Sequence, residues 1–345
     1  MKIRPDILHC HDYHTGLVPF MIENCPEFNF LKGVKTIGTI HNGEYQGQMR
    51  WDMANYMPWF YGENWGLLDW NGYINPLATM IKCCHAFNAV SGGYMQELFQ
   101  NFRGLESLVQ QENGKAYGII NGIDTEVWDP ATDAFLDFNF SKKDASEGKW
   151  KNKKALCEAY GLNPDLPLFS FIGRFAGEKG ADLLPKIVEK SIQQTQGRLN
   201  VMILGSGEKQ IENELKDLSG TYFNFALDLG YKEYLSHKIY ASSDFLLMPS
   251  RVEPCGLNQM YAMRYGTVPI VRYIGGLRDT VEDISTGGSG INFGDATAED
   301  AVNAMHRAMH IYHDHELMKN LIQSNMDFDF SWDKSAHIYL ELYRK

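Results

Sequence analysis

The chain lacks any stretch apolar for long enough to span a bilayer, and residues 1–30 carry Asp6, Asp12 and Glu23 where a secretory leader would need an apolar core. The expectation is a cytoplasmic protein with no membrane partner. Cysteine is sparse. Cys10, Cys25, Cys83, Cys84, Cys157 and Cys255 show no Cys-x-x-Cys spacing, which excludes a disulfide scaffold and leaves buried thiols in a reducing compartment. A basic excess is also missing. The net charge of -11 argues against non-specific binding to nucleic acid or an anionic membrane, so any anionic ligand must be held locally. Internal repeats and low-complexity tracts are absent too.

What is present is an ordinary globular composition, 44% hydrophobic and 22% charged, over 345 residues. That length exceeds one typical core and implies two domains. Strand-like runs at 7–10, 34–40, 86–90 and 116–120 alternate with helical stretches at Leu17–Ile22 and Tyr94–Phe102. Residues 51–75 concentrate Trp51, Trp59, Trp65 and Trp70 among tyrosines. They read as a long functional loop or helical excursion whose rings either stack on sugars or pack beneath an insertion. From Phe138 to Lys154 the composition turns polar, which reads as a linker or domain edge. A second series follows, with strands at 168–172, 199–204, 222–227, 245–248 and 267–271, although Pro269 is awkward in a central strand. Helical spacing marks Leu184–Ile192, Val302–Tyr312 and Trp332–Tyr343. The fold class is therefore α/β, two doubly wound domains facing each other across a cleft.

The most informative stretch is Asp244–Gly266. An uninterrupted apolar run, Phe245–Met248, is followed by a loop crowded with Pro249, Arg251, Glu253, Pro254 and Gly256, then by helical spacing from Leu257. Such a loop sits at the carboxyl end of a parallel strand, where ligands bind, and the following helix offers free amides to an anion. Arg174 and Lys179 lie on a glycine-rich turn after the first strand of the second half, spaced to reach one pyrophosphate from different sides. Gly205, the Tyr231 ring, Glu253 and the pair Gly275 and Gly276 likewise follow strands. In a parallel sheet these positions share one edge and describe a site for a nucleoside diphosphate carrying a further group.

In the first half, His9, His11, Asp12 and His14 end one strand and His41 ends the next. His-x-His on a strand places both rings on one face, but His85, His237 and His337 are isolated, so a catalytic metal is not expected. His306, His310, His313 and His315 read as solvated or capping residues on a surface helix.

Six segments in order, HCHDYHTGL (9–17), TIHNGEYQG (39–47), INGIDTEVWDP (120–130), GRFAGEKGADLL (173–184), PSRVEPCGLNQMYAMRYGT (249–267) and GGLRDTV (275–281), resemble the bacterial glycogen synthases and plant starch synthases; the closing FSWDKSA (330–336) does too. The resemblance implies a GT-B architecture, with an incomplete N-terminal Rossmann-like domain over 1–145, a nucleotide-sugar domain over 146–325, and a helix at 326–345 crossing back. It implies retaining transfer of glucose from ADP-glucose or UDP-glucose to the non-reducing end of an α-1,4-glucan, without metal or cofactor. It makes Arg174 and Lys179 the cations on the diphosphate and sets Tyr231 against the base. Gly256, Leu257 and Asn258 become amide donors, and Glu253 lies beside the donor glucose. His41 and Asp12 fall on the acceptor side and Asn121 in the cleft; Arg251, Gly205, Gly275 and Gly276 complete the substrate-binding set. Tyr261 stands where the wider superfamily has a second acid, and Tyr13 where tryptophan is common. No Lys-x-Gly-Gly-Leu loop precedes residue 9, so the expectation is an N-terminally truncated chain of impaired activity. Two alternatives stay open: a non-catalytic glucan- or nucleotide-binding remnant, and another retaining GT-B glycosyltransferase. Oligomeric state is left open.

Overall fold

Strands buried on both faces need no alternation, and Phe245–Met248, with all four side chains buried, lies inside a six-stranded parallel sheet in the computed structural model, which describes residues 3–345. Numbering the strands of the two main sheets in chain order, the first sheet contains β1 (Ile7–His11), β2 (Lys35–Ile40), β3 (Ala86–Ala89) and β4 (Ala116–Gly118), in the order β1-β2-β3-β4. The second contains β5 (Leu168–Phe175), β6 (Asn200–Gly207), β7 (Phe225–Leu229), β8 (Phe245–Met248), β9 (Val268–Arg272) and β10 (Ile291–Phe293), in the order β10-β9-β8-β5-β6-β7. All pairings within both sheets are parallel.

The chain divides into two compact units, one holding residues up to Asn121 together with Asp333–Lys345, the other Gly122–Trp332. The first unit thus ends at Asn121 rather than at 145. The reason lies in Leu136 and Phe140, which join the main core of the second unit, and in Trp128, which packs on His237 and Tyr261. In the first unit, Leu342 of the closing helix Trp332–Arg344 packs with Ile37, Ala86 and Ile119. The aromatic stretch 51–75 is divided: Trp51, Met57 and Phe60 pack on Phe20, Leu68 and Ile74, whereas Tyr56, Trp59 and Tyr61 are exposed.

The strand expected at 267–271 forms, spanning Val268–Arg272, and one expectation, the linker at 138–154, is corrected. Pro269 does lie in an inner strand. The neighbouring Val268 amide donates to Asp244 O on the β8 side, so the Pro269 nitrogen faces β10, whose pairing starts only at Ile270. No ladder bond is lost there. The polar segment 138–154 is no linker, since it runs into the helix Ala145–Tyr160, whose Lys149, Asn152 and Lys153 are buried. Lys149 Nζ donates to Thr267 Oγ1 at 2.7 Å and to the carbonyls of Ala241 and Tyr240 at 3.2 and 3.4 Å. Lys153 Nζ bonds Asp244 Oδ2 at 2.7 Å, and the same oxygen accepts from the Leu168 amide that starts β5. Buried lysines with built-in acceptors thus tie this helix to the sheet.

Burial lowers the Lys149 amine to about 7 against an ordinary 10.5. Below its folded value the unfolded and native chains both bind the proton and the burial penalty is full. Between about 7 and 10 the native state binds fewer protons, so stability rises with pH. From pH 7 to 9 the native protein should gain about 2 kcal/mol relative to Lys149→Met, read from urea unfolding of both proteins; parallel behaviour of the two would contradict this.

Candidate active site

In the second unit β5 and β6 run side by side to their ends, pairing Gly173 with Gly205 and Arg174 with Ser206. Arg174 and Gly205 therefore sit in the last residues of these strands, Tyr231 and Glu253 in the turns beyond theirs, and Gly275 and Gly276 at the start of the helix Gly275–Thr280 that follows β9. At Gly205 a side chain cannot fit, because a Cβ would lie 2.0 Å from Gly173 O and 2.7 Å from the Phe175 ring. The bare backbone at this edge opens into a cavity of ≈ 320 Å³, whose lining includes Arg174, Gly205, Tyr231, Asn258, Trp128 and Tyr261. A larger concavity elsewhere in this unit, ≈ 1110 Å³ and lined by Tyr273, Arg278, Asp283 and Arg307, holds none of the predicted residues. The smaller cavity is the stronger candidate because it stands at the carboxyl ends of the parallel strands.

Beside that cavity lies an ion pair. Lys179 Nζ contacts both carboxylate oxygens of Glu253, at 2.7 and 2.8 Å, and Ser250 Oγ donates to Glu253 Oε2 at 2.9 Å. Glu253 is only 5% exposed. Three backbone features bring the pair together. Gly180, at φ 66°, approaches so closely that a Cβ would stand 2.1 Å from Pro249 O, which presses the Gly177–Lys179 turn against the end of β8. The Arg251 and Val252 amides donate to Glu178 O at 2.8 and 3.1 Å. On the far side, the Gly276 amide donates to Glu253 O at 3.0 Å, and a Cβ at Gly276 would lie 2.0 Å from Cys255 O. Gly275 and Gly276 thus shape the glutamate loop.

The other predicted cations also have carboxylate partners. Arg174, with a side chain 69% exposed, pairs with Glu178. Arg251 Nη2 bonds Asp182 Oδ2 at 2.8 Å and Arg251 Nη1 donates to Gly177 O at 2.9 Å. The hydrogen bond between Arg251 and Asp182 holds the Asp182 carboxyl below its usual range and raises Arg251. Arg251 thereby braces the two loops. Asn258 Nδ2 donates to Ile172 O at 2.6 Å, tying the helix Asn258–Arg264 to β5. This helix has seven residues. Gly256, at φ 73°, makes the turn before it, and Leu257 caps it without a side-chain bond. Tyr231 is 87% exposed, its ring free to lie over a ligand.

The first unit assembles its own cluster. Asp12, in the left-handed region at φ 53°, accepts from the His41 and Asn42 amides at 2.7 and 3.4 Å. His11 Nδ1 lies 3.0 Å from His41 Nε2. His9 is bonded on both nitrogens, to Thr39 Oγ1 and to Tyr343 OH, each at 2.7 Å, so the closing helix reaches this cluster. Burial, followed by the neighbouring imidazoles, lowers His9 to about 4 and lowers His11 as well. Both rings are thus neutral at pH 7. Asn121 closes this unit.

Trp128, Tyr240, Lys232 and Tyr261 line the cavity without having been singled out as site residues. Trp128 and Tyr261 carried a signal, their places in the INGIDTEVWDP and PSRVEPCGLNQMYAMRYGT segments.

The starch synthase catalytic domain family matches residues 1–111, and the family of glycosyl transferases group 1 matches residues 152–326. A glycogen synthase of Flavobacterium johnsoniae is 46% identical over 340 residues, covering 98% of this chain and 72% of that protein. A glycogen synthase of Streptococcus gordonii is 38% identical, covering 99% and 73%. Among solved structures, the catalytic domain of starch synthase IV from Arabidopsis thaliana bound to ADP and acarbose superposes with a TM-score of 0.87 at 34% identity, over 99% of this chain and 73% of that one.

Gly180→Ala should destabilise the protein by about 1–3 kcal/mol and weaken ADP binding, because the added Cβ displaces the lysine turn from Pro249. Gly177→Ala, where no atom lies within 4 Å of an added Cβ, is the matched control and should change neither. Urea unfolding and calorimetry on both variants check this.

Proposed function

This chain belongs to the glycogen synthase and starch synthase family and is a glycosyltransferase of the GT-B fold, and we propose that its donor is ADP-glucose and its acceptor the non-reducing end of an α-1,4-glucan. The observation that carries the donor reading is the cavity at the ends of β5 and β6, with cationic Arg174 at its wall and several aromatic rings in its lining. Cation and rings match a nucleoside diphosphate at its two ends. The relative of known structure was solved with ADP, which favours adenine over uracil.

In this reading the diphosphate draws Arg174 and Lys179 away from Glu178 and Glu253. Both cations then neutralise charge that grows on the leaving group as the bond from C1 to the diphosphate oxygen breaks. The Glu253 carboxylate turns to the donor glucose, where it orients hydroxyls and favours an oxocarbenium-like state. The acceptor hydroxyl oxygen bonds to C1 on the face the diphosphate leaves, and its proton passes to the departing phosphate. Configuration is retained. His41 and Asp12 serve the acceptor side, with Asp12 fixing the His41 backbone through its amide bond. Neither step calls on a metal ion or cofactor.

Transfer of labelled glucose to glycogen, measured with ADP-glucose and UDP-glucose in parallel, tests the reading. Transfer from ADP-glucose should exceed transfer from UDP-glucose. Binding of ADP with no transfer from either donor would favour a nucleotide-binding remnant. Lys179→Ala should weaken ADP binding and lower kcat/KM by roughly 10²–10³; unchanged calorimetric affinity would count against the diphosphate assignment.

A further inference from the structure

In the first unit a line of polar side chains crosses neighbouring strands and has no place in the chemistry above. His9 of β1, Thr39 of β2 and Asn88 of β3 form it, and two tyrosines of the closing helix Trp332–Arg344 stand at its ends. Tyr343 OH lies 2.7 Å from His9 Nδ1, and His9 Nε2 lies 2.7 Å from Thr39 Oγ1. Thr39 Oγ1 donates to Asn88 Oδ1 at 2.8 Å, and Asn88 Nδ2 donates to Tyr339 OH at 3.1 Å. Both tyrosine rings also pack on His9, with centroids 5.5 and 5.6 Å away. Thr39 and Asn88 are fully buried, where an unmade hydrogen bond is costly.

These bonds have one consistent direction. The Asn88 amide is oriented by a second bond, from Nδ2 to Ala89 O at 3.2 Å, so its Oδ1 must accept from Thr39. Thr39 has a single hydroxyl hydrogen and gives it to Asn88; at His9 it can only accept, and His9 carries its proton on Nε2. Nδ1 is then a lone pair, and Tyr343 donates to it. The donors run from Tyr343 through His9, Thr39 and Asn88 to Tyr339. A run of this kind polarises along its length and fixes the tautomer of the imidazole within it.

The effect reaches the next residue on the same face of β1. The His11 ring lies on His9, with centroids 4.5 Å apart and planes 17° from parallel, and His11 Nδ1 stands 3.0 Å from His41 Nε2. His9 sets the plane against which His11 rests, and His11 holds one nitrogen of His41. We propose that Tyr343 and Tyr339 are positioning residues for the acceptor: through the fixed tautomer of His9 and the stacked His11, they keep the His41 imidazole in one orientation for the end of the glucan. The proposal rests on the acceptor reading of His41. Neither tyrosine needs to touch substrate.

The test uses the full chain. Tyr343→Phe deletes the donating hydroxyl and keeps the ring, whereas Leu342→Ala loosens the same helix where it packs on Ile37, Ala86 and Ile119 and leaves the run of bonds intact. Nitrogen NMR on histidine-labelled protein, with His9→Gln to identify the signal, reads the tautomer. Native His9 should be protonated on Nε2, and Tyr343→Phe should give a mixture. Calorimetry with maltohexaose and with ADP reads the two ligands separately. Tyr343→Phe should weaken maltohexaose by roughly threefold to tenfold, the value of one hydrogen bond, and leave ADP unchanged. Leu342→Ala should lower stability and leave both affinities as they are. In a His41→Ala background Tyr343→Phe should have no further effect, because the route ends at His41. Native His9 protonated on Nδ1, unaltered maltohexaose affinity in Tyr343→Phe, equal losses in Tyr343→Phe and Leu342→Ala, or an undiminished effect in the His41→Ala background would overturn the proposal. His41→Ala that leaves maltohexaose binding unchanged refutes the acceptor reading itself.

Discussion

The arrangement of the second unit depends on one ion pair, Lys179 with Glu253, held at the end of a parallel sheet by a glycine that can approach Pro249. A carboxylate that is 5% exposed is costly unless paired, and here both oxygens meet the ammonium while Ser250 satisfies one of them further. The pair therefore fixes two loops that are distant in sequence. It also sets a chemical condition, because an anionic ligand that engages Lys179 must take it from Glu253. Under the function proposed above, binding of the diphosphate and release of the glutamate become one event, which links donor occupancy to the carboxylate assigned to the sugar.

The rest of this unit serves that edge. Strand ends at Gly173 and Gly205 are stripped of side chains so that backbone lies open, and Trp128 in the cavity lining stacks on His237, whose Nδ1 is bonded to the buried Asp133. Buried lysines in the helix Ala145–Tyr160 lock the far end of the same strands through Asp244 and Thr267. Lys149, Lys153, Glu253 and Asp133 share an arrangement: each is buried against a specific partner from a segment distant in sequence.

This explains which features were legible in the sequence. Fully buried parallel strands appear as unbroken apolar runs, so Phe245–Met248 and Leu168–Ile172 could be located directly, as could the breakers that follow them. Arg174, Lys179 and Glu253 could be placed at one edge from the sequence because a parallel sheet brings its strand ends together. The helix at 145–160 was missed because its lysines look solvated, and only the fold reveals the carbonyls of Tyr240 and Ala241 that receive Lys149. The packing of Trp128 between His237 and Tyr261 was illegible for the same reason: the three have no local pattern in common, and their stacking exists only in three dimensions. The pairing of Arg251 with Asp182 is likewise a contact that no local pattern announces.

The central claim, that Glu253 and the donor diphosphate compete for Lys179, is tested most directly by Glu253→Gln, measuring ADP affinity by calorimetry and glucose transfer from ADP-glucose on the same preparation. Removing the charge frees Lys179, so ADP should bind as tightly as to the native protein or more tightly, while transfer falls by roughly 10²–10³. Loss of ADP affinity in step with transfer, or transfer that survives the substitution, would contradict the account.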